Sequence, residues 1–338
     1  MKAALFEEPG VFNIVNKDLR RLKEDEVLVR VEACGICGTD LHIVEGTARS
    51  TPPVVLGHEY SGIVEDAGNV AGINEGARVA IDPNISCGTC FYCRRGLVHL
   101  CTGLRALGVD IDGGMAEFCL VPKKQLHLLP ADMPPEMGAF IEPLSCAVHG
   151  LDRARIKAGD SVVILGGGTA GLIMLQLVRN AGAAMTILVE PLEHKRRIAR
   201  TLGADVVLDP SSDDLLAAVM ERTHVGADVV IECVGKPATM QMSLTLARRG
   251  GVVEFFGVCA LGATISVEPN LVYFKELTIV GSYVNPHTFT RAAALLSAGT
   301  VRTDALLIQH FPLEGVHEAF AALREGKTLK SIVRPGMS

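Results

Sequence analysis

The sequence predicts an α/β chain of two domains, an antiparallel β-barrel-like domain followed by a doubly wound parallel sheet. Three observations predict it. Up to about residue 150, short alternating apolar and polar runs are broken by Gly and Pro. Beyond residue 150, apolar β-branched runs alternate with helical segments, the pattern of a parallel sheet with helices on both faces. At 161–171 a strand runs into Gly166-Gly167-Gly168-Thr169-Ala170-Gly171 and then a helix, the setting of a dinucleotide fingerprint.

The elements follow in order. Strands are expected at 26–32, 57–69, 78–81 and 116–121, with turns at Thr51-Pro52-Pro53, Asp82-Pro83 and Asp112-Gly113-Gly114. In the second part, strands at 161–165, 185–190, 205–208, 227–232, 251–256 and 277–280 alternate with helices at 169–181, 193–202, 212–222 and 237–248. The last stretch holds helices at 287–297 and 313–324, then a strand at 329–333 that returns to the first domain. The expected bounds are 1–149, 150–284 and 285–338; 338 residues exceed one ordinary core.

Net charge is −6, with no basic stripe and only 15 aromatic residues, so nucleic acid is not an expected partner. The first residues, Met1-Lys2-Ala3-Ala4-Leu5-Phe6-Glu7-Glu8, hold no secretory apolar core. The uncharged run 161–178 has glycines at its centre, which fits a strand, turn and buried helix rather than a membrane span. Ten cysteines without an export signal point to metal or free thiols in a reducing compartment, hence the cytoplasm. Cys34, Cys119, Cys146, Cys233 and Cys259 lie among apolar neighbours and are expected as small buried hydrophobes.

Cys87, Cys90, Cys93 and Cys101 stand with two, two and seven residues between them, a spacing that can close on one tetrahedral zinc. Four protein ligands leave no place for water or substrate, so this lobe, at about 84–104, is expected to be structural.

In the glycine loop, Gly166 allows the tight turn, Gly168 lets a pyrophosphate approach, and Gly171 permits close helix packing. Thr169 and Ala170 open the helix whose N-terminus faces the negative charge. Glu190, nineteen residues beyond Gly171, is placed to hold the adenosine ribose and repel a 2′-phosphate, which argues for NAD. Lys195, Arg196 and Arg197 follow closely and leave NADP use open. Lys195 is a candidate neighbour of the ribose.

Upstream, Cys34-Gly-Ile-Cys37-Gly-Thr39-Asp40-Leu-His42 precedes Gly57-His58-Glu59, and Glu142-Pro143-Leu144 lies downstream. With these motifs in this order, the whole chain resembles the zinc-dependent medium-chain alcohol dehydrogenases, and more narrowly their polyol (sorbitol-type) branch. The resemblance implies a Rossmann domain joined to a discontinuous GroES-like catalytic domain with a structural-zinc lobe. It implies two zinc ions per chain and NAD. Cys37 and His58 become ligands of a catalytic zinc, and Glu59 and Glu142 are both candidates for a further ligand. Asp40 becomes the hydrogen-bond partner that orients His58, with a helix cap as its alternative role.

By the same resemblance Thr39 starts a proton relay that His42 continues. Cys233 and Val234 form a loop beside the cofactor, and Gly257 and Val258 meet the nicotinamide amide. Tyr283 faces substrate, although Ser282 stands where the polyol branch can carry Arg. The 277–283 strand implies a homodimer or homotetramer. The expected activity is oxidation of a secondary hydroxyl of a polyol to the ketose. The alternatives are L-threonine 3-dehydrogenase or simple secondary-alcohol chemistry, and a non-catalytic zinc-binding protein on the same fold.

Overall fold

The computed structural model describes residues 1–306 and 308–337. The chain divides into two compact units. The first comprises Met1–Ser145, Asn285–Leu296 and Leu307–Ser338, and the second Cys146–Val284 and Ser297–Leu306. Segment Ser297–Leu306 therefore packs with the second unit, although the sequence reading assigned all of 285–338 to the first. Here Gln176 of the second unit, through its side-chain oxygen, accepts the backbone N–H of Arg302 at 2.7 Å.

In the first unit the central strand is Glu26–Gly35, whose side chains mostly alternate between buried and partly exposed. It pairs antiparallel with Glu59–Asp66, Phe118–Pro122 and Lys330–Arg334. The seven-stranded sheet is completed by Arg78–Ile81, Leu126–Leu128 and Ile308–Pro312. A three-stranded sheet of Val11–Asn16, Lys2–Glu8 and Val54–Val55 shares one apolar core with it, including Phe6, Val29, Leu56, Tyr60, Val79 and Val333. The last strand reaches the centre of this sheet, so the chain ends beside residues near its start.

The second unit is a six-stranded, all-parallel sheet. Its order is Val206–Leu208, Met185–Val189, Ser161–Leu165, Ala227–Glu232, Ala247–Phe255 and Thr278–Gly281. The order reverses beside Ser161–Leu165, the first strand in sequence, which is where doubly wound sheets bind ligands. Helix Thr169–Asn180 follows that strand and is buried at every position from 171 to 178. This explains the lack of polar alternation in its sequence. Strand Ala247–Phe255 starts earlier than the expected 251–256, with a register shift opposite Ala227/Val229. No helix of the described residues is long and apolar enough to cross a membrane.

Candidate metal and dinucleotide sites

Among the described residues, two groups of potential metal ligands gather, each with its ligand atoms within 4.8 Å of one another. One is Cys37, His58 and Glu59; the other is Cys87, Cys90, Cys93 and Cys101.

The first group is assembled by strand pairing. Gly35 is the register partner of Glu59, so the ends of the two strands place Cys37 beside His58 and Glu59. Gly35 must lack a side chain, because a Cβ there would collide with the Glu59 carboxylate. Cys37 is the N-cap of helix Gly38–Val44, and its backbone N–H donates to Asp40 Oδ2 at 2.8 Å. The other Asp40 oxygen lies 3.3 Å from His58 Nδ1. Both of those atoms are buried and have no other hydrogen-bond partner. Asp40 is thus not the N-cap, which is Cys37, but it accepts the cap's backbone N–H from the first turn and also stands beside the His58 ring, leaving Nε2 of His58 to face a metal.

Burial opposes a charge on His58, but Asp40 and the Cys37 sulfur outweigh it and hold the imidazole well above its ordinary range. A thiolate, an imidazole and a carboxylate on one small surface fit zinc. Cys34, the neighbouring thiol, is fully buried, and burial pushes its pKa well up; it lies outside the cluster.

Lys330 is the residue that sequence reasoning missed here. It is buried on the returning strand, with its ammonium paired to Glu59 Oε2 and donating to the Ile36 carbonyl at 3.2 Å. Burial works against its charge, but Glu59, Cys37 and Glu142 raise its pKa overall. Glu142, buried in helix Pro135–Ala154, is outside the three-residue cluster yet within the electrostatic reach of Lys330. No local pattern around Lys330 signals this, since its partner is 271 positions away.

Thr39 Oγ1 lies 3.7 Å from the Cys37 sulfur. His42 is half-buried, with Nδ1 3.1 Å from Thr47 Oγ1. The Thr47 hydroxyl also lies within donating distance of the His42 carbonyl, at 3.2 Å, so Thr47 holds both the ring and the backbone of His42.

In the four-cysteine lobe, strand pair Asn84–Ile85 and Arg105–Ala106 closes the base. Backbone N–H groups of Cys87 and Gly103 both donate to the Cys101 sulfur at 3.3 Å. Backbone N–H donors pull Cys87 below its usual range and bring Cys90 down to about 6, whereas burial and the neighbouring thiols push Cys93 up to about 11. The N–H donors favour thiolates, the form that binds zinc. The donor set therefore fits a closed tetrahedral ion.

The second unit carries the glycine loop. Gly166 has φ 107°, a conformation that L side chains rarely adopt. A Cβ on Gly171 would run into the Gly166 carbonyl oxygen, so the helix sits as close as only glycine permits. Nothing lies within 4 Å of the Cβ position of Gly168, the N-cap, and no side chain caps that helix end. This is open space at a helix N-terminus, suited to a phosphate. Thr169 and Ala170, the first residues of the helix, are half-buried.

Glu190 is buried, with Oε2 accepting the Gly167 N–H at 2.8 Å and Oε1 the Leu192 N–H at 3.0 Å. Each oxygen keeps a lone pair for a hydroxyl donor. Arg196 is committed elsewhere. Its guanidinium donates to the carbonyls of Glu190 and Pro191 and pairs with Asp209 and Glu193. Lys195 is half-buried on the same helix.

Glu232, at the end of its strand, organises the neighbouring loop. Its carboxylate accepts the N–H groups of Val234 and Gly235, each at 2.9 Å, and the Thr239 hydroxyl at 2.7 Å. A Cβ on Gly257 would come 2.7 Å from the same carboxylate, and one on Gly235 would strike the Val258 backbone. The Cys233–Val234 and Gly257–Val258 loops are thereby in contact. Val258 is 70% exposed, and a Cβ on Gly166 would meet Val234 at 2.9 Å. Burial pushes the Cys233 thiol well up, with Glu254 and Glu232 adding to it. Of the five non-motif cysteines, Cys34 and Cys119 are buried as expected, whereas Cys146, Cys233 and Cys259 are only half-buried. Tyr283 is exposed beyond strand Thr278–Gly281.

Residues 23–131 match the model of the alcohol dehydrogenase GroES-like domain, and residues 170–298 that of the zinc-binding dehydrogenases. D-arabinitol dehydrogenase 1 of Uromyces fabae is 35% identical over 340 residues, covering 99% of this chain and 97% of its own. L-threonine 3-dehydrogenase of Pyrococcus horikoshii is also 35% identical, covering 98% of each chain. The structure superposes with TM-score 0.95 on what is described as a zinc-binding dehydrogenase of Sinorhizobium meliloti 1021 bound to NADP. That protein is 43% identical, with 99% of each chain covered.

Proposed function

From the premise that the chain belongs to the zinc-dependent medium-chain alcohol dehydrogenases, we propose that it oxidises a secondary hydroxyl of a polyol to the ketose, with NAD as hydride acceptor. The observation that carries the chemistry is the cluster of Cys37, His58 and Glu59 with Asp40 behind the histidine. The 35% likeness to a D-arabinitol dehydrogenase along nearly the whole chain, with Glu142-Pro143-Leu144, supports the polyol.

In this reading Cys37 and His58 hold the catalytic zinc, with Glu59 or Glu142 as a further ligand, and Cys87, Cys90, Cys93 and Cys101 hold a structural one. Zinc supplies a Lewis acid that lowers the pKa of an alcohol toward neutrality, and NAD supplies the two-electron acceptor. Asp40 keeps the His58 ring oriented. Lys330 balances Glu59 and tempers the negative charge of Cys37, Glu59 and Glu142. Thr39 would take the hydroxyl proton of the alcohol, and bound NAD would supply the acceptor for the hydride of the carbinol C–H bond, so that alcohol and NAD⁺ balance with ketone, NADH and H⁺. His42, with Nδ1 held by Thr47, takes the proton onward at Nε2.

In the dinucleotide unit, the loop from Gly166 to Gly171 receives the pyrophosphate and Glu190 the adenosine ribose, with Lys195 beside it. The buried Glu190 carboxylate supports NAD, because it would repel a 2′-phosphate. Cys233, Val234, Gly257 and Val258 line the nicotinamide end, and Tyr283 faces substrate. The edge strand Thr278–Gly281, with exposed Tyr273 and Phe274 nearby, supports a homodimer or homotetramer built by pairing edges. The use of cysteines as metal ligands suits the reducing cytoplasm.

A second reading is L-threonine 3-dehydrogenase, favoured by the relative of equal identity. The deciding experiment follows cofactor reduction with D-arabinitol, other sugar alcohols, L-threonine and simple secondary alcohols, using NAD and NADP in parallel. The polyol reading requires an NAD-dependent rate on one stereochemical set of polyols. Activity on threonine alone keeps the chemistry and sinks the substrate.

A further inference from the structure

We propose that Asn285 is a positioning residue that holds the Glu142 turn in place, a role that rests on the reading of Glu142 as serving the open metal site. Glu142 sits at a weak point of its helix. Pro143 follows it inside Pro135–Ala154 and removes one rung of the backbone ladder. A helix thinned there needs an external brace to fix the direction of a neighbouring side chain.

The brace comes from the segment at which the chain re-enters the first unit. Asn285 is buried, and every polar atom of its side chain is engaged. Its Nδ2 donates to Ser145 Oγ at 2.8 Å and lies 3.5 Å from Asp82 Oδ1, while its Oδ1 accepts from Asn84 Nδ2 at 2.7 Å. Ser145 Oγ in turn donates to the Glu142 carbonyl at 2.6 Å. Three residues on, the Thr288 hydroxyl donates to the Ser145 carbonyl at 2.7 Å. The turn from 142 to 145 is therefore gripped twice by 285–288.

The far side of the brace is anchored as well. Gln125 Nε2 donates to the carbonyls of Asp82 and Asn84, both at 2.9 Å. His287 Nε2 lies 3.1 Å from the Gly96 carbonyl, on the four-cysteine lobe. Val284 and His287 flank the asparagine at φ 48° and 57°, left-handed conformations unfavourable for side-chain-bearing residues. Such strain persists only where surrounding bonds over-determine the backbone, as they do here. The four-cysteine lobe, the 82–84 segment and the Glu142 turn are thus tied through one short segment. The arrangement gives an asparagine far from any ligand motif leverage over the metal site.

The test is a double-mutant cycle on the zinc-loaded protein. Asn285→Ala, Glu142→Gln and the double variant are titrated with a chromophoric zinc chelator beside the wild type, the release of each ion being followed separately. Each single change is expected to weaken retention of the ion of the open site by about 10- to 100-fold. The double variant should be no worse than Glu142→Gln alone, because Asn285 acts only through that residue. Additive losses, or an effect of Glu142→Gln with none of Asn285→Ala, overturn the proposal. No effect of Glu142→Gln itself sinks the reading of Glu142, and the proposal with it. If melting shows that Asn285→Ala does not fold, Ser145→Ala replaces it in the cycle with the same expectations.

Discussion

Replacing Glu254 by Gln should remove a pH dependence of stability that the fold imposes. Glu254 lies on strand Ala247–Phe255, fully buried, and neither carboxylate oxygen has a hydrogen-bond partner. It is packed beside Gly150, where an added Cβ would meet Oε1, Met174 and Phe256 all at 2.9 Å. Burial raises its pKa from 4.5 to about 8, with only Arg153 pulling the other way. Between those values the folded chain keeps a proton that the unfolded chain has lost. Stability from this group is therefore greatest at low pH, falls as pH rises, and levels off above about 8. The slope is about 1.4 kcal/mol per unit well below pH 8 and halves at pH 8, so from pH 6 to pH 8 the loss is about 2 kcal/mol. For a unit of this size that corresponds to roughly 4–8 °C in midpoint. Glutamine preserves the shape and cannot ionise. Melting curves at intervals from pH 5.5 to 9 should show the wild type losing stability relative to the variant from the lowest pH onward. The variant should then become progressively more stable up to pH 8. Parallel curves over the whole range would refute the reasoning.

Cys37→Ser should reduce zinc from two ions to one per chain and abolish turnover with the melting midpoint preserved; metal analysis beside an activity assay checks both. Glu190→Ala should erode preference for NAD over NADP by roughly tenfold, the worth of about 1.4 kcal/mol, read from kcat/KM with each cofactor. Gly171→Ala and Gly168→Ala should separate packing from binding. The first drives a methyl into the Gly166 carbonyl and should cost about 1–3 kcal/mol of stability. The second meets nothing in the fold, so it should leave melting unchanged while raising the KM for NAD.

What could be read from the sequence is what repeats at fixed spacing along the chain. Four cysteines within fifteen residues must fold close together, and a glycine loop between a strand and a helix has few geometries open to it. The parallel strands were legible because continuous apolar runs need cover on both faces. Helix Pro135–Ala154 was not, since Pro134-Pro135 and Pro143 read as punctuation. In fact Pro135 begins the helix, where a missing N–H costs nothing, and tertiary contacts carry it past Pro143. The same divide runs through the site. Cys37, His58 and Glu59 announce themselves by their neighbours, but their behaviour is set by groups brought from elsewhere. Lys330 supplies the counter-charge for Glu59 from the last strand, and without it that buried carboxylate would lose its ion-pair partner. Asn285 and Glu232 are equally silent in sequence, because an asparagine after a valine or a glutamate at a strand end has no spacing to betray it. Local pattern thus names the groups that do chemistry, whereas the long-range register of the sheets decides which of them are held, charged and oriented.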